Sequence, residues 1–559
     1  IPVRNDAKFH DGLSVTPEDV MFSLRLAASP ACPLGPVCDA VGNNMAKDPE
    51  KRNNVVIVTL NEPYAPFLTE ALGRLPILSQ NAVAAATADL IEAADRLGEN
   101  RPDSVVKQIS DQLVREVCVS EDPPRGCRLA DHSDRLENVF RRARLEPPSK
   151  APFTDETGFF DEDAYLGELL GRIFALGQVF TTSAADKRAA ALGLLDATVQ
   201  PLGGGPYFLD DVDEEGNYVL KANRGHTRGA PVIDRIEITV ERDPAVAVGK
   251  LAAGEADWIL EVGPGQAELI RDVPGISVAP RPLDLQRGIL FNVRPGRIYA
   301  DVEARRAFDL CLDRNELATR LDEDRAVALT PYTATSWALP EAIVGARDVE
   351  AANALLDGAG WRMATDGVRV RDDVRLSTTI AVRPSNVDLF TFANDAAGQL
   401  AECGIELVVE ELDMTGDTML TQLLWPNDFD TLLLARRLGP DPDSAVRAFE
   451  SSRITTEENQ ADSNPSGFTS SLADHLIESA RASEDVDERR EAYASIQALL
   501  EENIPYWPLW YDSVSSALSS RIEGPDGPID PSRARYDWDI SSWSLKRSAD
   551  DGSLRASRD

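Results

Sequence analysis

The sequence predicts an α/β protein of more than one domain, on three observations. Its 559 residues, 43% hydrophobic and 27% charged, are enough to bury several cores. The stretch Ile289–Leu317 runs strand, turn and capped helix. The stretch Ile233–Leu260 runs strand, helix, strand with short connections. Elements alternating in this way are the mark of α/β architecture.

In chain order, Lys8–Ala27 starts with a strand end and the Asp11-Gly12 turn. Thr16 then caps a helix with Pro17 at its first position and Glu18 and Asp19 in its first turn, where carboxylates suit the helix dipole. Asn54–Leu60 alternates as a strand. Between about residues 80 and 200 helical patterns accumulate, at Val83–Leu97, Val105–Val117, Asp134–Arg144, Glu162–Phe180 and Ala184–Thr198. Acidic, proline-bearing loops separate them, at Glu121–Gly126 and Glu146–Phe153. Tyr218–Ala222 and Ile233–Glu241 read as strands, the second with Ile236, Ile238 and Val240 alternating against Arg235, Glu237 and Thr239. Asp243-Pro244 caps the helix Ala245–Ala253, Gly254 ends it, and the following strand returns, which predicts a crossover unit within one lobe.

In the central stretch, Ile289-Leu290-Phe291 has the composition of a buried strand, and Pro295-Gly296 breaks it. Asp301 stands at an N-cap, and Ala304, Ala307, Phe308 and Cys311 share one helical face. Asp313 and Glu316 start a second helical segment. Beyond it come the strand Leu376–Val382, the helix Phe390–Ala401, the strands Ile405–Glu411 and Phe429–Leu434, and the helix Glu488–Leu500. The tail after Lys546 is polar and predicted to be disordered.

A net charge of −37 argues against nucleic acid or an anionic membrane as partner, and no apolar run reaches the 18 residues of a membrane span. Cys32 and Cys38, and Cys118 and Cys127, lie in pairs in polar Pro/Gly-rich loops, which fits disulfides in an oxidising compartment. Cys311 and Cys403 sit among apolar helical residues and read as reduced, buried thiols. Catalytic signals are poor: the four His (His10, His132, His226, His475) are scattered, and no G-x-S-x-G, H-E-x-x-H or nucleotide-binding loop with Lys occurs. The glycine run Gly203–Gly205 lacks the Lys-Ser/Thr of a phosphate loop. No metal and no cofactor is predicted, and the chain reads as a non-enzyme.

Phe291-Asn292 followed by DVEARRAFDLCLDRNEL resembles the "FN…D…VRxAxxxAxDR" signature of the extracytoplasmic solute-binding proteins of peptide and nickel ABC importers (bacterial extracellular solute-binding protein family 5). The likeness recurs at KFHDGLSVTPEDVMFS, Pro76-Ile77-Leu78, LGGGPYFL, GEADWIL, AANALLDGAGW and NIPYWPLWY. Residues 80–200 depart from the family as a helical insertion, read as an added layer on the small domain. The resemblance implies a two-lobed type II periplasmic-binding-protein fold of the large three-domain kind. It sets a small extra domain at 1–202, a first lobe at 203–290 and 505–547, a second lobe at 291–504 and the tail at 548–559. It also implies a further N-terminal part with an export signal, and so an unpaired strand edge near Gly203–Leu209 or Ile233–Val240. A monomer is expected, reaching the membrane only through a lipid anchor on that part.

The same resemblance implies the function: capture of a peptide or similar small organic solute between two lobes, outside the cytoplasm, for delivery to ABC permease subunits. The alternatives are a hydrolase or ligand sensor reusing the fold, or a nickel or metal-chelate binder. Arg383-Pro384-Ser385-Asn386 is similar to the family's "RPYN", which implies Arg383 and Asn386 at a ligand carboxylate; Arg383 reads equally as a surface arginine. Asp441 and Asp443 match the family's DPD phrase, while the position of the family's amine-holding Asp falls near Leu438 and is preceded by Arg436 and Arg437. A carboxylate-bearing ligand with a blocked or absent amine is therefore expected. Tyr332 and Trp337 are further candidates for the cleft wall, Trp337 reading equally as core.

Overall fold

A computed structural model describes residues 1–99, 203–213, 215–321, 325–339, 345–382, 386–412, 423–424, 426–456, 464–533, 536–537 and 539–546. Between residues 100 and 202 it describes 136–138, 140–141, 145–154, 160–161, 165, 167–169, 171–172, 179 and 186–195. The chain forms two compact units, Ile1–Asn61 with Ala71–Val240, and Glu62–Glu70 with Glu241–Asp559.

In the first unit, helix α1 (Pro17–Ala27) carries the expected capping box: the Asp19 amide donates to Thr16 Oγ1 and the Thr16 amide to Asp19 Oδ2. The other Asp19 oxygen accepts from the Gln80 amide at 2.9 Å, so one carboxylate also fixes the start of α2 (Gln80–Glu99). Of the remaining insertion segments, Lys187–Leu192 is helical, and the expected helix at 105–117 lies outside the described residues. Cys32 and Cys38 form a disulfide, with Cα atoms 5.8 Å apart. Cys118 and Cys127 lie outside the described residues. Strands β1 (Tyr207–Val212), β2 (Tyr218–Ala222) and β3 (Arg235–Ile238) make an antiparallel sheet in that order. Among the described residues β3 pairs on one side only, and Val232, Ile238 and Val240 are exposed beside it.

The second unit is built on an antiparallel sheet. Helix α3 (Pro244–Ala253) ends at Gly254, whose φ of +74° is the left-handed cap predicted for it. Strands β4 (Trp258–Val262) and β5 (Ile276–Phe291) follow. Further along lie β6 (Ser377–Val382), β7 (Glu406–Glu411), β8 (Thr431–Arg437) and β9 (Tyr506–Ser519), and the sheet order is β8-β5-β9-β4. This overturns the crossover unit expected for Ile233–Leu260, because β3 and β4 belong to different sheets. Hydrophobic alternation identifies a strand but carries no information on which sheet it joins.

Strand β5 is covered on both faces. Ile289 and Phe291 belong to one core with Phe308 and Trp507, while Leu290 belongs to another with Leu432, Tyr493 and Tyr506. Successive residues of a strand point to opposite faces, so a strand between two cores must be apolar throughout. Helices α4 (Val302–Cys311) and α5 (Arg314–Thr319) start where Asp301 and Asp313 accept from the amides of Glu303 and Glu316, at 3.0 and 2.9 Å. The helix α6 (Val387–Ala401) connects β6 and β7, a parallel pair. Cys311 ends α4 and Cys403 lies in the turn after α6, and both are fully buried against the first core. They are joined as a disulfide, with Cα atoms 6.4 Å apart, which corrects the reading of two reduced thiols. Each had been judged from its own apolar surroundings, and their meeting is a tertiary event. Two further helices, α7 (Ser471–Ala482) and α8 (Val486–Asn503), pack on the second core and lead into β9.

Candidate functional site

The site is organised by the end of β8, a strand whose last residues are Arg436 and Arg437 and after which the chain turns through Leu438, Gly439 and Pro440 to Asp441. Arg437 is exposed. Leu438 is buried and its amide donates to the Asp284 carbonyl at 2.8 Å, prolonging the strand's path. Gly439 lies against the Glu70 carboxylate, where a Cβ would collide with it.

Asp441 and Asp443 are 1% and 2% exposed and are fully engaged inside the second unit. Asp441 Oδ1 accepts from Arg489 Nη2 at 2.7 Å and from the Asp443 amide at 3.1 Å, and its Oδ2 accepts from Thr69 Oγ1 at 3.3 Å. Its own amide donates to Glu70 Oε1 at 2.9 Å. Asp443 accepts from Arg481 Nε at 2.5 Å and from the Tyr64 hydroxyl at 3.3 Å. Arg481 also holds Glu450, which takes a further ion pair from Arg453 at 2.7 Å. Burial pushes the Asp443 carboxyl above its ordinary value, with Arg481 opposing. Buried acids are stable only when paired and hydrogen-bonded, and these are both. The DPD phrase thus clamps Glu62–Glu70, α7 and α8 to the loop after β8. Its carboxylates have no face to offer a ligand.

Trp337 belongs to the same cluster: the Arg489 guanidinium sits 5.1 Å from its ring and the Tyr493 ring 5.9 Å. Tyr332 is fully buried, and its hydroxyl donates to the Tyr493 carbonyl at 2.7 Å, which makes it a core residue. Asn386 caps α6 by accepting from the Leu389 amide at 3.2 Å. Arg383 lies outside the described residues.

Arg436 has a different environment. Its guanidinium lies over the rings of Phe449 and Tyr506, at 5.3 and 4.9 Å, and donates to the Ala445 carbonyl. Among the described residues no carboxylate pairs with it, and Nη1 is buried without a hydrogen-bond partner. Burial pushes Arg436 below the ordinary arginine value, with the Tyr506 hydroxyl beside it opposing. The Tyr506 hydroxyl is also buried, and the hydroxyl end of its ring lies against Gly288, where a side chain would not fit. Phe449 and Tyr506 line a cavity of about 210 Å³ together with Leu500, Gln497, Glu501 and Asp309. Gln497 donates to Glu501 at 2.6 Å, but its own Oε1 has no partner. Asp309 is occupied by Arg314 and by Trp507 Nε1, both at 2.6 Å.

Sequence reasoning singled out Asp441, Asp443, Trp337 and Arg436, which the fold gathers along β8 and α8, but missed Glu70, Arg481, Arg489, Gln497 and Tyr506. The spacing of Arg489, Tyr493 and Gln497 along α8 was the available signal, since every fourth residue shares a helix face.

The architecture is that of the two-lobed type II periplasmic-binding-protein class, mixed α/β. The crystal structure of the oligopeptide-binding protein AppA from Bacillus subtilis in complex with a nonapeptide shares it, with a TM-score of 0.58 and 20% identity over 98% of this chain and 86% of that one. The chain belongs to the bacterial extracellular solute-binding proteins, family 5, whose middle-region model matches residues 174–457. In sequence it is 25% identical over 355 residues to the oligopeptide-binding protein AppA of Bacillus subtilis (strain 168), covering 62% of this chain and 63% of that protein. It is 22% identical over 336 residues to a dipeptide-binding protein of Pseudomonas aeruginosa, covering 58% of this chain and 59% of the relative. The matches thus span about three-fifths of those relatives' own lengths.

Proposed function

We propose that the chain is the substrate-binding component of an ABC importer, which captures a peptide or similar small organic solute outside the cytoplasm and delivers it to a membrane permease. Membership of family 5, with relatives named for oligopeptide and dipeptide binding, carries this reading. The Cys32–Cys38 and Cys311–Cys403 bonds support an oxidising compartment. No reaction is needed: a solute that binds one conformation better than another shifts the population the permease meets. Arg383, Asn386, Arg437 and Trp337 are kept as ligand contacts. Because Asp441 and Asp443 are committed to Arg489 and Arg481, the loop after β8 holds no free carboxylate for a peptide amine. This favours a solute with a carboxylate and a blocked or absent amine.

Native mass spectrometry of the purified chain, followed by calorimetric titration with matched free and N-acetylated tripeptides, tests the proposal. The acetylated forms are expected to bind at least as tightly as the free ones, and Arg383→Ala to weaken them tenfold or more. Absence of a retained solute together with absence of binding by either series overturns it.

A further inference from the structure

Strands β5 and β9 form a long ribbon that is braced at both ends and bare in the middle. At one end β8 runs along Leu285–Phe291 of β5, and Val327 bridges to Trp510 of β9. At the other end β4 pairs with Ser515–Leu518 of β9, over a separate core that holds Val248, Leu251 and Ala517. Pro282 and Leu283, opposite Asp512–Val514, have no further strand beside them among the described residues. The register also slips there. Tyr511 faces Gln286 and Ser513 faces Pro282, so Leu283–Leu285 stand against the single residue Asp512. Extra residues of this kind bend a strand, and Pro282 has no amide to donate. Asp512 therefore marks a bend between two separately packed parts of the second unit.

Side chains tie that bend. Arg287 Nε donates to both Asp512 oxygens, at 3.1 and 2.9 Å, with Nη2 2.8 Å from Oδ2, and Trp510 Nε1 donates to Oδ1 at 3.2 Å. The Arg325 guanidinium lies over the Trp510 ring, 5.0 Å from its centroid, and donates to Asp388 Oδ2 at 2.9 Å. Asp388 is in the first turn of α6, two residues after its cap Asn386. Trp510 is 1% exposed and the Arg325 side chain 13%, whereas that of Asp388 is 53% exposed. A carboxylate that solvent reaches is thus joined to a buried ring and, through it, to the bend.

We infer that Asp388, Arg325, Trp510, Asp512 and Arg287 are a relay that couples the loop before α6 to the bend in β5 and β9. The inference rests on the importer reading, in which Arg383 and Asn386 contact the carboxylate of the solute. An anion arriving beside Asp388 repels it and competes for Arg325. The Asp388–Arg325 pair is a half-exposed one, weak enough to exchange. The guanidinium is held on the indole by the charge distribution of the ring, so its displacement re-aims the Trp510 N–H that holds Asp512. The bend is then free to change, which is the population shift that the permease would meet. Arg325 and Asp512 act here as positioning residues, and neither has to touch the solute.

Hydrogen exchange of the full chain, read by mass spectrometry over residues 280–286 and 511–515, tests this beside calorimetric titration with N-acetyl-trialanine. Without solute, Asp388→Asn is expected to speed exchange at the bend about threefold or more, although the substitution lies on another element. Trp510→Phe keeps a ring under Arg325 but has no N–H for Asp512. It is expected to speed exchange as well, and to leave nothing for Asp388→Asn to add. Should it not fold, Arg325→Met takes its place with the same expectation. In the titration, Asp388→Asn and Asp512→Asn are each expected to change the affinity about threefold or more, and the double variant no more than the larger single change. Unchanged exchange at the bend in Asp388→Asn, a response to it that persists in Trp510→Phe or Arg325→Met, or additive changes in affinity overturn the inference. Absence of N-acetyl-trialanine binding alongside the expected exchange pattern would count against the importer reading and leave the coupling standing.

Discussion

Asp441 and Arg436 are five residues apart on the same strand-to-loop segment, and the fold treats them in opposite ways. Asp441 is surrounded by donors, from Arg489, Thr69 and the Asp443 amide, while Arg436 has one carbonyl, two aromatic faces and the Tyr506 hydroxyl beside it, and among the described residues no carboxylate. A buried charge with every lone pair filled by charged donors is firmly held, and one resting on ring faces and neutral oxygens is held by weaker contacts. Burial alone therefore does not tell how firmly a charge is held. The inventory of partners does.

The largest expected effect falls on the filled cluster. Arg489→Met leaves Asp441 buried without its counter-ion and should lower the unfolding free energy by about 3–5 kcal/mol, read by urea denaturation. Gly439→Ala forces a methyl against the Glu70 carboxylate and should cost about 1–3 kcal/mol. Pairing it with Glu70→Ala in a double-mutant cycle should recover part of that loss. At Arg436 the sign reverses: Arg436→Met removes a buried charge that has no carboxylate partner among the described residues, so its stability should equal the wild type or exceed it by about 1 kcal/mol. A loss at Arg436 as large as that at Arg489 would break the comparison.

The smallest effect is in the pH dependence. Burial raises the Asp443 carboxyl above 3.8, so the folded chain holds that proton more tightly than the unfolded one. Its contribution to stability is present below pH 3.8 and is lost as pH rises through the raised value. Asp443→Asn should remove this segment of the stability-pH curve, measured by urea unfolding at successive pH values.

Much of both units was legible because the signals are local. The caps at Thr16, Asp301 and Asp313 each lie within three residues of the amide they serve, and Ile289–Phe291 shows its double burial in unbroken apolarity. The DPD phrase was legible as a phrase, but its meaning depends on Glu70, 371 residues away, and on Arg489, 48 residues away. The isolation of Arg436 arises where β8, β5 and β9 bring it to Tyr506, a pairing that no local pattern encodes. The placement of β3 and β4 in separate sheets was missed for the same reason.

The two described disulfides differ in what they require of the growing chain. Cys32 and Cys38 are 6 residues apart and meet within one loop, so that bond closes as soon as the segment is exposed to an oxidant. Cys311 and Cys403 are 92 residues apart, and they come together only once α4 and the turn after α6 have both docked on the core beneath β5. Trapping free thiols at intervals during oxidative refolding would thus give two clocks in one molecule. The first records exposure to oxidant, and the second dates the assembly of the core.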